Sequence, residues 1–418
     1  MKILIVGSGA REDALAWRLT RDGNVADLAT VPGNLGTLRW GKNLDGTPEA
    51  AADYFKPDLV VVGPETPLAD GLADRLRAKG FAVFGPGAAG ARIESSKIFS
   101  KELMALKGIP TARSEIVRSL DEGLRALDSW PGGPVVVKVD GLAQGKGVMI
   151  ASDPEEARSA LDDAFVQKKF GDAGSQVLLE QFLTGREATV LAITDGTRMH
   201  ILPTSEDHKQ VHDGDKGPNT GGMGAISPTP VITPRVLDRV RDRILLPLLE
   251  ALREKVPGGY RGLLYAGIMV EREEPSVVEF NCRFGDPEAQ SVLPRITGNL
   301  ADALLSAARG ELDASGLGES PEFTTCVVVA SGGYPGAFEK GKIIDGALMR
   351  RWETTGAIAF LSGVAKENHV VTTGGRVASI VGFGRTFEES RDKAYRAVQM
   401  ITFEGMHFRG DIGMRGLA

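Results

Sequence analysis

Four short apolar runs, separated by helical patterns, dominate the first hundred residues. KILIV, LATV, DLVVV and AVFG read as strands; EDALAWRL and LADGLADRLRAK read as helices. A strand that is apolar on both faces must be covered on both sides, and the intervening helices supply that cover. The rhythm therefore predicts a parallel sheet sandwiched between helices. Turn residues close the strands (GSG, PGN, GPETP, GPG), and ligands of such sheets gather at the carboxyl ends of the strands.

From Ser95 the texture changes. SSKIFSKELMALKGIP has a serine start and a Gly108 stop, so it reads as a helix. VVVKVDGLAQGKGVMIA is a strand, a glycine-rich loop and a second strand, hence a hairpin. DPEEARSALDDAFV is helical, with Asp153 as cap and Pro154 in the first turn. VLLEQFLTGREATVLAIT gives further strands, TPRVLDRVRDRILLPLLEALREK a long amphipathic helix, and LLYAGIMVE with SVVEFNCRF an antiparallel pair. From Thr324 onward, short strands and one helix predict a small α+β domain. A chain of 418 residues holds two to four domains.

Net charge is -6, which gives no general electrostatic case for nucleic acid or an anionic membrane. Two isolated cysteines, Cys282 and Cys326, make neither a disulfide framework nor a metal cluster, so a reducing cytoplasm is expected. MKILIVGSG lacks the features of a signal peptide, and no apolar run approaches membrane-spanning length.

Four segments carry chemistry. In GSGAREDALAW, Gly7 and Gly9 fit a dinucleotide fingerprint, but Glu12 takes the third glycine position. The second strand ends in Val31-Pro32-Gly33 without a carboxylate, so a nicotinamide cofactor is not expected. The turn suits a phosphate at the helix amino end beside Arg11, or is a plain tight turn. GLAQGKG fails the Walker pattern, being one residue short and followed by a strand. A glycine hairpin can instead fold over a triphosphate, with Lys146 and the in-strand Lys138 facing the charge.

In VVEFNCRFGDPEAQ, alternation puts Glu279, Asn281 and Arg283 on one face within about 14 Å, and Val278, Phe280 and Cys282 on the core face. Oxygen donors at that spacing suit Mg²⁺, and the following GDPE adds Asp286 and Glu288. The fourth segment, DHKQVHDGDKGPNTGGMGAISP, is rich in glycine and poor in packing residues. It reads as a flexible lid whose backbone approaches a ligand, with Asp213 and Asp215 placed to receive an ammonium group; the bland reading is a disordered surface loop.

Taken in this order, these segments resemble the phosphoribosylamine–glycine ligase family of the ATP-grasp superfamily. DHKQVHDGDKGPNTGGMGAISP and EFNCRFGDPEAQ carry the resemblance. GPETPLADGL, SKIFSKELM, KVDGLAQGKGV, LLEQFLTGREATV and YRGLLYAG support it. The resemblance implies ATP-dependent joining of glycine to 5-phosphoribosylamine, with Mg²⁺ or Mn²⁺, in a monomer or weak homodimer. It implies an amino-terminal α/β domain (1–100), an ATP-grasp domain (101–323) with a lid (about 113–187) and a carboxyl-terminal domain (324–418).

By motif, Lys101, Lys138, Gly145, Lys146 and Gly147 would hold the ATP phosphates. Glu180 and Leu183 would hold the adenine edge, Glu187 the ribose, and Glu279 and Asn281 the metal. Arg283, Asp213, Asn219, Gly221 and Gly222, with Asp286 and Glu288, would hold glycine and its acyl phosphate. Gly9, Arg11, Glu12 and Glu65 would surround the phosphoribosyl group. The family usually reads GSGGREHA at the first turn; here Ala10 and Asp13 depart from it, which would put a negative charge near that group. The competing readings are another ATP-grasp ligase, or a nucleotide-binding protein without catalysis.

Overall fold

The computed structural model describes residues 1–141, 147–346, 356–366 and 368–416. The first sheet is parallel throughout, in the order β3-β2-β1-β4-β5 for β1 (Lys2–Gly7), β2 (Asp27–Pro32), β3 (Lys42–Asn43), β4 (Leu59–Val62) and β5 (Val83–Phe84). Its alternation feeds two cores. Leu4, Val6, Val60 and Val62 pack on one face with Leu264 and Ile268, while Ile3, Ile5, Leu59 and Val61 pack on the other with Leu15 and Leu300. The apolar runs thus have no solvent face, as a covered parallel sheet requires. The short strand Lys42–Asn43 and the helix Pro48–Phe55 carry no clear periodicity and were not expected.

The helix Lys97–Lys107 forms as its ends predict: the Ser96 hydroxyl accepts from Phe99 N–H, and Gly108 closes it at φ 63°. Beyond it, an antiparallel sheet of Ser114–Val117, Val177–Gln181, Val135–Val139 and Val148–Ala151 is covered by the helices Leu120–Asp128 and Pro154–Phe165. Its core (Val117, Val135, Val137, Leu161, Leu179 and neighbours) is separate from the others. A second antiparallel sheet runs Met199–Ile201, Arg186–Thr194, Gly262–Glu271, Glu274–Asn281. The long helix is present as Pro234–Val240 and Leu246–Lys255, joined by a π-helical stretch at Arg241–Leu245.

The carboxyl-terminal sheet takes two strands from the middle of the chain. Glu206–Asp207 pairs with Gly224–Ser227, which pairs in turn with Phe323–Ser331, next to Arg376–Gly384 and Ala357–Leu361. The flanks of the glycine-rich segment are therefore sheet. Between them Gln210–His212 and Lys216–Asn219 form a hairpin. It is docked rather than free. Fully buried Arg409 pairs with Asp215 at 3.0 Å, Gly410 N–H donates to Asp213 at 2.8 Å, and Gly214 N–H donates to Asp411 at 2.9 Å. The expected flexible lid is thus an anchored hairpin, because hydrogen-bonding partners from residues 409–411 satisfy its backbone and carboxylates.

Asp13 is also placed differently from the expectation. Its side chain is fully buried and accepts from Arg39 Nη2 at 2.6 Å, Trp40 Nε1 at 2.6 Å and Leu361 N–H at 2.7 Å. It ties the first helix, Ala10–Leu19, to the carboxyl-terminal sheet and adds no charge to the ligand cavity described below. Among the described residues, no helix is long and apolar enough to cross a membrane.

Candidate active site

The carboxyl ends of the first sheet, the strand Glu274–Asn281 and the glycine-rich segment converge on one cavity of about 500 Å³. Strand geometry explains how the metal candidates enter it. Gly267 pairs with Glu279 but Ile268 with Val277, so Val278 is an extra residue in the strand. Beyond this bulge the alternation resumes, with Glu279 and Asn281 toward the cavity and Phe280 and Cys282 buried in the core.

At one end of the cavity stand lysines. Lys101 and Lys138 share Glu180, with Nζ–O distances of 3.0 and 2.6 Å. Lys138 also donates to Val278 O at 3.2 Å, and Lys97 to Gly141 O at 3.0 Å. Burial pulls Lys97 and Lys101 below their usual range against the carboxylates beside them. Buried ammonium groups gain most from an additional anion, so a polyphosphate is the chemistry this end favours.

Glu279 lies between the ends. Burial pushes its carboxyl up, yet Lys209, Lys138, Lys97 and Arg283 together hold it below the usual range. It is therefore ionised at neutral pH, with 40% of its side chain open to the cavity and Lys209 Nζ 3.7 Å away. An ionised carboxylate and an amide oxygen two residues apart suit a hard divalent cation that completes its shell with phosphate oxygens.

At the other end stand three guanidinium groups. Arg283 is gripped by Glu65 at 3.1 Å and Glu94 at 2.7 Å. Burial opposes its charge, but those two carboxylates more than compensate and raise it. Arg11 is oriented by Glu12 at 2.6 Å and by Phe284 O at 3.1 Å. Arg376 pairs with Asp286 at 3.2 Å. Burial pushes Asp286 up, and Arg376 and Arg11 outweigh it, so this carboxyl too stays ionised. Glu288 accepts from the Tyr265 hydroxyl at 2.7 Å.

Of the residues singled out by sequence, Lys101, Lys138, Glu180, Glu279, Asn281, Arg283, Arg11, Glu65, Gly221, Asp286 and Glu288 line this cavity. Gly9 and Glu12 stand behind it: Gly9 N–H donates to Glu12 at 2.6 Å, and Glu12 steers Arg11. Glu187 backs Lys209, and Gly222 packs on Pro287. Leu183 lines a separate pocket of about 160 Å³ with Phe182 and Met269. Gly147 lies in the hairpin, where its carbonyl accepts from Val139 N–H at 2.9 Å. Asp213 and Asn219 lie on the docked hairpin outside the cavity lining. Gly145 and Lys146 fall outside the described residues.

Sequence reasoning missed Glu94, Lys97, Asp207, Lys209, Tyr265, Tyr334 and Arg376 among the lining residues. Lys97 lies inside the quoted SKIFSKELM, and Asp207 and Lys209 inside the quoted glycine-rich segment, so a search for further charged groups in those motifs finds them. Tyr334 and Arg376 have no such signal.

Comparison with known proteins gives the family. The phosphoribosylglycinamide synthetase models match domain by domain: the N domain over residues 1–94, the ATP-grasp (A) domain over 95–289 and the C domain over 324–415. A phosphoribosylamine–glycine ligase of Chlorobaculum tepidum is 42% identical, covering 100% of each chain, and one of Pseudomonas aeruginosa is 41% identical, covering 100% of this chain and 99% of its own. The crystal structure of phosphoribosylamine–glycine ligase from Thermotoga maritima superposes with a TM-score of 0.87 at 33% identity, covering 98% of this chain and 100% of that one. The fold alone is shared with the biotin carboxylase domain of Hydrogenobacter thermophilus 2-oxoglutarate carboxylase, solved with MgADP, at a TM-score of 0.74 and 15% identity over 97% of this chain and 91% of that one. With all three domain models matched in order, and relatives above two-fifths identity over their full length, this chain belongs to the phosphoribosylglycinamide synthetase family.

Proposed function

We propose that the protein uses ATP to join glycine to 5-phosphoribosylamine, giving glycinamide ribonucleotide, ADP and phosphate. The observation that carries this reading is the polarity of the cavity: lysines at one end, paired guanidinium and carboxylate groups at the other, and the ionised Glu279 between them.

A carboxylate resists an amine because it is already negative and has a poor leaving group. One glycine carboxylate oxygen therefore attacks the γ-phosphorus, the bond to the β-bridging oxygen breaks, and ADP departs. The ribosylamine nitrogen then attacks the acyl carbon, the C–O bond to phosphate breaks, and the amine loses a proton to phosphate or solvent. No protein nucleophile is needed, and the described residues lining the cavity include no cysteine and no histidine.

Positioning and charge do the work. Lys101 and Lys138 neutralise the triphosphate. Glu279 and Asn281 would hold Mg²⁺ or Mn²⁺, which would supply Lewis-acid stabilisation of phosphate oxygens. Arg283, fixed by Glu65 and Glu94, faces the glycine carboxylate. Asp286 and Glu288 suit the glycine ammonium, and Arg11 at the first turn suits the ribose phosphate. The core of residues 117–179, separate from the rest, allows that unit to close over the water-labile anhydride.

The test is ADP release with ATP, glycine and freshly generated phosphoribosylamine, each omitted in turn. Turnover requiring all three is expected; ADP formation indifferent to glycine overturns the reading.

A further inference from the structure

Arg376 and Tyr334 reach the cavity from the carboxyl-terminal domain and converge on one residue of the glycine-rich segment, Gly221. Arg376 Nη1 donates to Gly221 O at 2.7 Å and to Asp286 O at 2.8 Å. Its Nη2 stands 3.2 Å from the Asp286 carboxylate. The Tyr334 hydroxyl accepts from Gly221 N–H at 3.0 Å. Both polar atoms of Gly221 are thus taken by one domain, while Asp286, on the loop opposite, is held by the same guanidinium.

A side chain at this position would press on both groups. A Cβ at Gly221 would lie 3.1 Å from Arg376 Cζ and 3.2 Å from the Tyr334 hydroxyl. Asp286 also marks which end of the cavity this contact serves: a Cβ on Gly9, in the first turn, would stand 3.5 Å from its Oδ2. The lysine end draws its partners from Glu180, Val278 and Gly141 instead.

We propose that Arg376 and Tyr334 are positioning residues for the reaction: acting through Gly221 and Asp286, they fix the end of the cavity that holds the amino acid and amine, and leave the nucleotide end untouched. This rests on the proposed ligase reading for which substrates occupy that end. A guanidinium can serve both backbone carbonyls and a carboxylate at once, whereas an ammonium is a point charge without that fork. Geometry, and not only charge, is what the site requires.

The experiment compares Arg376→Ala, Arg376→Lys, Tyr334→Phe and Gly221→Ala with the unaltered protein. Three quantities are read: kcat/KM for glycine and for phosphoribosylamine, the dissociation constant of ATP, and hydrogen exchange of the peptide containing Gly221. Displacing a substrate-holding loop by a fraction of an ångström to 1 Å predicts a loss of about ten- to hundredfold in kcat/KM for both non-nucleotide substrates in Arg376→Ala and Gly221→Ala. Tyr334→Phe should lose less, because only one hydrogen bond goes. Arg376→Lys should remain impaired, and added guanidinium at non-denaturing concentration should restore part of the Arg376→Ala activity. ATP affinity should stay within twofold, which also shows that the variants fold, and exchange at Gly221 should accelerate.

Equal losses for ATP and the other substrates, full activity in Arg376→Lys, or unchanged exchange at Gly221 would each overturn the proposal. Should the unaltered protein show no glycine-dependent ADP release, the ligase reading falls by itself. The exchange measurement still decides whether these two side chains order the loop.

Discussion

Asp13 offers the sharpest test of how the domains are joined. Replacing it with alanine removes one buried carboxylate that serves three donors on two domains. The Leu361 amide is buried and loses its only acceptor among the described contacts; the half-buried Trp40 indole N–H loses its own. Unmade hydrogen bonds of this kind cost about 1–3 kcal/mol each, toward the upper end for the amide. Arg39 keeps Ala359 O at 2.8 Å and Gly36 O at 3.1 Å, so it adds less. The total is about 4 kcal/mol, matching the ~3–5 kcal/mol typical of truncating one member of a buried ion pair. Asp13→Asn keeps the volume but turns an N–H₂ toward at least one donor, for about 2 kcal/mol. Urea unfolding followed by circular dichroism reads the loss, and the indole fluorescence reports whether the first helix leaves the carboxyl-terminal sheet first. KM values measured well below the unfolding midpoint should be unchanged. A loss under about 1 kcal/mol for Asp13→Ala, or a raised KM for phosphoribosylamine at unaltered stability, would refute this account and restore the idea that Asp13 acts on substrate.

Three further outcomes follow from the same geometry. Glu279→Gln should keep the fold and lose most activity, with Mn²⁺ binding in the presence of nucleotide, read by electron paramagnetic resonance, weakened at least tenfold; wild-type-like turnover would remove the metal assignment. Asp195 is held at a pKa of about 2: burial pushes it up, but the amides of Arg198, Thr197 and Leu312 and the Thr197 hydroxyl outweigh that. Since the folded value lies below the ordinary 3.8, its contribution of about 2 kcal/mol is present above pH ~4 and lost as pH falls through about 2. Asp195→Asn should therefore lower stability at pH 7 and make no difference near pH 2, and a gap that persists in acid would contradict the sign. Arg409→Met removes the cation shared by Asp215 and Asp411, so the hairpin should become cleavable by trypsin at Lys216 in the native protein; unchanged resistance would show that the docking does not depend on this residue.

What the sequence made legible was whatever is written in local periodicity. The apolar runs gave the parallel sheet because Ile3, Leu4, Ile5 and Val6 of β1 are buried alternately in the cores on its two faces. The period of two in VVEFNC placed Glu279 and Asn281 together in spite of the bulge at Val278, since the extra residue precedes both. What stayed hidden depends on partners far along the chain. Asp13 meets Leu361 across 348 residues, Glu94 meets Cys282 across 188, and Gly410 meets Asp213 across 197. Composition made residues 207–228 look like a free loop, because glycines and carboxylates have no packing of their own. Their order comes from pairing with the strand Phe323–Ser331 and from Arg409, Arg376 and Tyr334, which no local pattern connects to them.

Those long-range contacts divide the cavity into parts with different freedom. The unit bearing Lys138 has its own core, formed from residues 117 to 179, and meets the opposite wall through a few polar bonds, among them Lys138 to Val278 O and Ser96 to Asp140. Such bonds are remade easily in water or on a phosphate, so movement of that unit costs little apolar contact. The arginine end is different. Arg11 is tied to Phe284, Arg283 to Glu65 and Glu94, Arg376 to Gly221 and Asp286, and Asp13 locks the first helix to Leu361. Buried, multiply bonded charges resist displacement because moving any one strands its partners. On the proposed reading, a lysine-bearing wall free to move and a fixed arginine-bearing wall suit the chemistry. The nucleotide must enter, be sealed from water during acyl-phosphate formation and leave as ADP, while the carboxylate and amine must hold one geometry through both displacements.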